Sequence, residues 1–190
     1  MNYKSYNDKT TKSILNIFLL LLIFLLFACT NSRQENLSFK DWDQNQDNLI
    51  SKIEFEQTFT QNYYQDWNHN DDPYLDDEDF LRSVFYVWDE NKDEKLNAEE
   101  WVLGYDYFYG DYIIDDFVVV DTDKDGSIDY TEYKTIISPT NMYIDWDQDD
   151  NGLIEGNELA FGLFKIWDLD NSQYLELDEY GKFDKYYFDI

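Results

Sequence analysis

From residue 39 onward, short apolar stretches alternate with oxygen-rich polar ones in a single recurring register. Each copy opens on an aromatic residue, at Phe39, Tyr64, Phe85, Phe117, Tyr143 and Phe164. Three residues later stands Trp42, Trp67, Trp88, Val120, Trp146 or Trp167. Positions three apart share one face of a helix, so each copy predicts a short incoming helix with its apolar side turned to a core. A polar stretch of twelve residues follows, with an aliphatic residue at its eighth place: Ile50, Leu75, Leu96, Ile128, Ile154 and Leu175. An apolar residue follows each twelfth place, at Phe55, Phe80, Trp101, Tyr133, Leu159 and Tyr180, and predicts an outgoing helix.

The polar positions repeat as regularly as the apolar ones. The first place holds Asp43, Asn68, Asp89, Asp121, Asp147 and Asp168, and the third holds Asn45, Asn70, Asn91, Asp123, Asp149 and Asp170. The fifth holds Asp47, Asp72, Asp93, Asp125, Asn151 and Ser172. The twelfth is always acidic: Glu54, Asp79, Glu100, Glu132, Glu158 and Glu179. This resembles the EF-hand family over nearly all of residues 39–183, and 121–132 and 147–158 meet the loop pattern D-x-[DN]-x-[DN]-G-x5-E in full.

The resemblance implies an all-α array of tandem helix–loop–helix units with calcium as the ligand. Ca²⁺ is a hard cation that takes about six to eight oxygens. Side chains of the first, third, fifth and twelfth residues would supply them. The seventh would add its backbone carbonyl, at Leu49, Tyr74, Lys95, Ser127, Leu153 and Tyr174. The ninth would act through water, at Ser51, Asp76, Asn97, Asp129, Glu155 and Glu176. Loops would pair through short strands at the eighth position. The sixth place needs a positive φ, which Gly126 and Gly152 adopt freely and Asn48 tolerates. Glu94 and Gln173 should adopt it at about 1 kcal/mol each. Pro73 cannot, because its ring fixes φ near −65°. The fourth and fifth loops therefore rank strongest, the first next, then the sixth and third. The second loop, with Asn68 at its start and the shorter Asp79 at its end, ranks last.

Between each twelfth position and the next first position lie 13, 9, 20, 14 and 9 residues, which suggests a duplicated three-hand cassette. Residues 38–109 would hold the first three hands and 110–190 the last three. A nine-residue gap fits one shared helix of about 13 residues, about 20 Å long. Loops at the two ends of such a helix face away from each other and cannot pair. Gly104 and Gly110 predict a turn between two helices in the long gap, and Ser138-Pro139 predicts a break in the fourth gap.

The N-terminus has a different character. Lys4, Lys9 and Lys12 precede an apolar run from Ile14 to Ala28 that only Asn16 interrupts. The run is too short for the roughly 20 residues of a spanning helix and has the length of a signal-peptide core. It ends in Leu26-Phe27-Ala28-Cys29, which resembles a bacterial lipobox, although Phe27 is bulkier than is usual there. Residues 1–28 are thus expected to be a signal peptide, Cys29 a lipidated residue, and 29–37 a lipidated tether. The protein would face an extracytoplasmic space of a bacterial envelope, held to the membrane by lipid.

Composition narrows the function. Of 190 residues, 42 are Asp or Glu and 14 Lys or Arg, a net charge of −28, which excludes binding nucleic acid through phosphate contacts. Acidic disordered chains are poor in aromatics, but this one is 19% aromatic and can build a core. A single Cys excludes an internal disulfide, and with one His no Cys/His zinc cluster is possible. His69 reads as a solvated loop residue. No nucleophile–base arrangement stands out, so an enzyme is not expected. A calmodulin-like sensor would expose a Met-rich groove, whereas Met142 is the only Met beyond the leader. Two roles remain: a calcium-binding protein in which the ion is a folding cofactor and is stored or buffered, or a calcium-ordered surface that holds a protein or glycan. The cluster Tyr105, Tyr107, Phe108, Tyr109 and Tyr112 reads either as a partner-binding patch or as packing in the seam between cassettes.

Cys29→Ser is expected to abolish lipid labelling and leave the precursor uncleaved, because lipidation of that thiol precedes cleavage at a lipobox. Labelling with a radioactive fatty acid and the mobility of the chain on a gel check both. Normal processing of the variant would refute the anchor.

Overall fold

The computed structural model describes residues 37–70, 74–113 and 116–187. The expected signal peptide, Cys29 and most of the tether lie outside the described residues, as do Asp72 and Pro73. Short helices alternate with two-residue strands along the chain. Helix α1 (Phe39–Trp42) leads into β1 (Ile50–Ser51) and α2 (Lys52–Asn62), then a 3-10 turn at Tyr64–Trp67. Helix α3 (Asp77–Trp88) precedes β2 (Lys95–Leu96) and α4 (Ala98–Gly104), which runs into a π-helical turn at Tyr105–Tyr109. Helix α5 (Phe117–Val120) leads to β3 (Ile128–Asp129) and α6 (Tyr130–Ile137). The last part comprises α7 (Met142–Trp146), α8 (Gly156–Trp167), β4 (Tyr174–Leu175) and α9 (Leu177–Tyr187).

Each nine-residue gap is filled by one helix of 12 residues, α3 and α8, against the expected 13 or so. Helix α6 ends at Ile137, one residue before Ser138-Pro139. In the long gap, α4 and its π-helical turn end at Gly110, and α5 starts after Asp116.

The pairing of the loops, open from sequence, is nested. Ile50 in the first loop lies opposite Leu175 in the sixth, and Leu96 in the third opposite Ile128 in the fourth. Leu75 in the second forms an antiparallel bridge with Ile154 in the fifth. Each pair thus takes one loop from residues 38–109 and one from 110–190, and the order reverses along the second half. Loops joined by α3 or α8 do not pair with each other, as their placement at opposite helix ends requires.

The recurring apolar positions build the core. Trp42, Trp67, Trp88, Val120 and Trp167 are almost wholly buried, and so are all six eighth-position residues. Aromatic rings meet across the units: Phe55 packs on Trp167 at 5.2 Å, Phe80 on Trp146 at 5.1 Å, and Trp146 on Phe108 at 5.1 Å. Such pairs contribute about 0.5–1.5 kcal/mol each beyond the area they bury. Two glycines on α8 permit close approach. A Cβ on Gly156 would meet Thr60 Cγ2 of α2 at 2.8 Å, and one on Gly162 would meet the Trp146 ring at 2.3 Å. The aromatic cluster at 105–112 belongs to this core: Phe108 and Tyr109 are buried, and Tyr105, Tyr107 and Tyr112 are half-buried against it. The Tyr109 hydroxyl donates to Trp101 O at 2.9 Å.

Two further contacts close the array. Tyr180 of α9 donates to Leu37 O, while Leu37 N donates to the Tyr63 hydroxyl at 2.8 Å, so the first described residue is held by the last helix and by the end of α2. The second and fifth loops share a reciprocal clasp. Tyr64 donates its hydroxyl to Ile154 O at 2.8 Å, and the Tyr143 hydroxyl lies 3.1 Å from Leu75 O and 2.9 Å from Gly152 O. These are the opening aromatics of the two units. Each reaches the eighth-position carbonyl of the opposite loop, where the strand pairing is shortest.

Replacing Tyr64 or Tyr143 by Phe keeps the ring and removes the clasp. Each is expected to lower unfolding stability by about 0.5–1.5 kcal/mol, the usual net worth of one hydrogen bond. Tyr174→Phe, on an exposed ring, should change it by less. Urea denaturation of the three variants measures the difference.

Candidate metal centre

Five of the six acidic loops share one hydrogen-bond scheme. The first-position carboxylate accepts the amides of the fifth and sixth residues, one on each oxygen. Asp43 takes Asp47 N and Asn48 N at 3.1 and 2.9 Å, and Asp89 takes Asp93 N and Glu94 N at 3.1 and 2.8 Å. Asp121, Asp147 and Asp168 do the same with Asp125 and Gly126, Asn151 and Gly152, and Ser172 and Gln173. Side chains at the third and fifth places fold back on amides two residues on, as Asp123 does with Asp125 N at 3.0 Å and Asp125 with Ser127 N at 2.9 Å.

This inward curl needs a left-handed backbone at two places, not one. The sixth position has positive φ at Asn48, Glu94, Gly126, Gly152 and Gln173, as the sequence predicts. The fourth position has it too, at Gln46, Lys92, Lys124, Asp150 and Asn171, with φ between 57° and 63°. No glycine marks that second site, so the sequence carries no signal for it.

The twelfth residue ties the loop together. One oxygen of Glu158 accepts Gln148 N at 2.7 Å and Asp149 N at 3.2 Å; the other accepts Glu155 N at 2.8 Å. Glu179 bonds Leu169 N, Asp170 N and Glu176 N in the same way, and Glu132 bonds Thr122 N, Asp123 N and Asp129 N. Glu54 and Glu100 repeat the bridge, to Asn45 and Ser51 and to Asn91 and Asn97. Burial pushes Glu132 and Glu54 up, but these hydrogen bonds outweigh it and hold both carboxylates below their ordinary value. In Asp89 burial dominates instead and raises the carboxyl.

The ninth residue is also a helix cap in three loops. Ser51, Asn97 and Asp129 cap the outgoing helices, accepting Glu54 N, Glu100 N and Asp129's own third neighbour Glu132 N. With the twelfth residue bonding back, each forms a capping box. The motif Ser51-Lys52-Ile53-Glu54 is legible in the sequence as such a box.

In three loops the acids converge. One oxygen from each of Asp121, Asp123 and Glu132 lies within 4.8 Å of the others, and the same holds for Asp147, Asp149 and Glu158 and for Asp168, Asp170 and Glu179. The first and third loops have Asn45 and Asn91 at the third place, where an amide oxygen would take the carboxylate's part. Residues 114–137 match the EF-hand family model. That stretch contains the fourth loop and all of α6. No curated protein and no solved structure matches the chain.

The residues present suit a hard divalent cation. All converging groups are oxygens. Asp147 and Glu158, 8% and 3% exposed, and Asp168 and Glu179, 8% and 5%, place like charges together away from water. Such burial is costly without a cation to offset it.

The second loop departs from the scheme. Asn68 Oδ1 accepts Asn70 N at 3.2 Å, and Asn68 Nδ2 donates to Tyr74 O at 3.3 Å. That carbonyl stands at the seventh place, so the amide nitrogen would compete with an ion for it. Asp79 bonds His69 N at 3.3 Å from the twelfth place. His69 is exposed as expected, yet its Nε2 lies 2.8 Å from Ser83 Oγ. Ser83 is buried and donates to Trp67 O at 2.9 Å, so the pair ties the second loop to the end of the 3-10 turn.

Asn68→Asp removes that competing donor and adds a ligand charge. Together with Pro73→Gly it should add one bound calcium per chain, or tighten the weakest site at least fivefold in calorimetric titration. Asp79→Ala alone should leave the number of tight sites unchanged; loss of one would show that this loop binds in the wild-type protein.

Proposed function

We propose that the protein is a calcium-binding protein of a bacterial envelope, not an enzyme, in which bound Ca²⁺ completes the fold. The observation that carries this reading is the convergence of three carboxylates in each of the fourth, fifth and sixth loops, with the first-position carboxylate buried each time, and the EF-hand match over the fourth. Six EF-hand-like loops in tandem, the second of them weak or empty, are the fuller form of the proposal. The resident ion would supply positive charge and a preferred coordination shell. The chain's own part is to hold the oxygens in place: first-position carboxylates by two amides each, twelfth-position carboxylates from both rims.

The net charge of −28 makes calcium a folding cofactor in this reading. Without ions, crowded carboxylates repel and oppose compaction. Ions that bind only the folded form stabilise it by mass action. Storage or buffering of calcium at the membrane surface follows from the same sites, with Cys29 as the proposed lipid anchor. A role as a calcium-ordered surface for a protein or glycan had its support in the aromatics of residues 105–112. Their packing in and against the core favours the binding role over that one. Met142 is wholly buried, which also fits a steady binder better than an opening sensor.

Chelating the metal should cost the protein much of its helical circular dichroism or its cooperative melt. Millimolar Ca²⁺ should restore both and raise the melting temperature more than NaCl of equal ionic strength. Glu132→Gln with Glu158→Gln should remove much of that gain. An unchanged melting curve without metal would overturn the proposal.

A further inference from the structure

The third and fourth loops meet at the β2–β3 pair, where Lys95 lies opposite Asp129. Lys95 is the seventh residue of its loop, a place that would offer an ion only its backbone carbonyl. The other seventh residues, Leu49, Tyr74, Ser127, Leu153 and Tyr174, are uncharged. The Lys95 side chain crosses the pair, and its Nζ lies 2.6 Å from Oδ2 of Asp125, the fifth residue of the fourth loop. The carboxylates that converge in that loop are Asp121, Asp123 and Glu132, without Asp125, although Asp125 is acidic and stands at a ligand position. Its Oδ1 accepts the amide and hydroxyl of Ser127 at 2.9 and 2.6 Å.

We propose that Lys95 acts as an internal cation of the fourth loop, which calcium must work against, and that it sets the affinity of this loop below what its own oxygens would otherwise give. The inference rests on the calcium reading above. At the dielectric of water a single and a double positive charge repel by about tenfold in binding when roughly 6 Å lies between them, so an ammonium on a ligand carboxylate weighs against a divalent ion in the same loop. Both side chains of the bridge are close to 40% exposed, so salt screens part of this repulsion. A bridge that merely steadied Asp125 for the ion would act with the opposite sign, because its loss would loosen a ligand.

The full-length chain, kept in detergent, serves for the test. Calcium is titrated while the amide resonances of Gly126 and Gly152 are followed; these amides donate to the first-position carboxylates of the fourth and fifth loops. Lys95→Met should move the Gly126 midpoint to about three- to tenfold lower calcium and leave the Gly152 midpoint in place. Lys124→Met removes an exposed charge from the fourth loop itself and should shift Gly126 less than twofold. In metal-free protein, Lys95→Met should leave Asp125 without its counter-ion and lower the melting temperature by about 1–3 °C. An unchanged or higher Gly126 midpoint in Lys95→Met, or an equal shift in Lys124→Met, would overturn the inference while leaving calcium binding intact. Wild-type protein that shows no calcium response at either glycine would overturn both.

Discussion

The twelfth residue of each loop is the constraint on which the rest of the molecule depends. In five loops a glutamate sits in the first turn of the outgoing helix and reaches back with one oxygen to the start of the loop. Its other oxygen bonds the helix cap. The same carboxylate therefore fixes three things at once: the start of a helix, the width of the loop, and the position of two oxygens that a cation would meet. Glutamate has the reach for both rims. Asp79 is one methylene shorter, and it stands in the loop whose first residue is an amide and whose seventh carbonyl is already bonded by a side chain. The departures gather in one loop because its parts depend on one another.

Nested pairing distributes this constraint through the fold. A helix that leaves one loop and arrives at the next, as α3 and α8 do, sends its two loops to opposite sides. Each must then find a partner elsewhere in the chain, and the available partners lie in the other half. The outcome is that residue 37 bonds the last helix, while loops three and four, neighbours in sequence, pair across the long gap. The antiparallel bridge between loops two and five is the thinnest of the three joints. Tyr64 and Tyr143 reinforce it from outside the strands.

Much of this was legible in the sequence. The six-fold register places the buried Trp residues, the aliphatic eighth positions and the 12-residue helices α3 and α8, because periodicity and spacing are local properties of a chain. The left-handed sixth positions followed from Gly126, Gly152 and Asn48. The left-handed fourth positions did not, since Gln46, Lys92 and Lys124 are ordinary residues forced there by the curl of amides toward Asp43, Asp89 and Asp121. Loop pairing was also beyond reach, for it depends on which helices pack together across the core. The Lys95–Asp125 bridge follows only once that pairing is known. Its partners are 30 residues apart and belong to different loops.

Backbone strain and charge point in one direction. Among the described residues, eight that are not glycine hold positive φ. At about 1 kcal/mol each, somewhat less for Asn and Asp, their sum is comparable to the whole net stability of an ordinary domain, about 5–15 kcal/mol. The amide bonds to Asp43, Asp89, Asp121, Asp147 and Asp168 offset part of it, because hydrogen bonds to charged groups are stronger than neutral ones. Those bonds, however, require the carboxylates to stay ionised while they stand close to other carboxylates and partly out of water. Each loop is therefore held by interactions whose electrostatic cost rises with every loop that forms. A divalent cation placed among the oxygens reverses the sign of that term, and it does so at the residues where the backbone strain is concentrated.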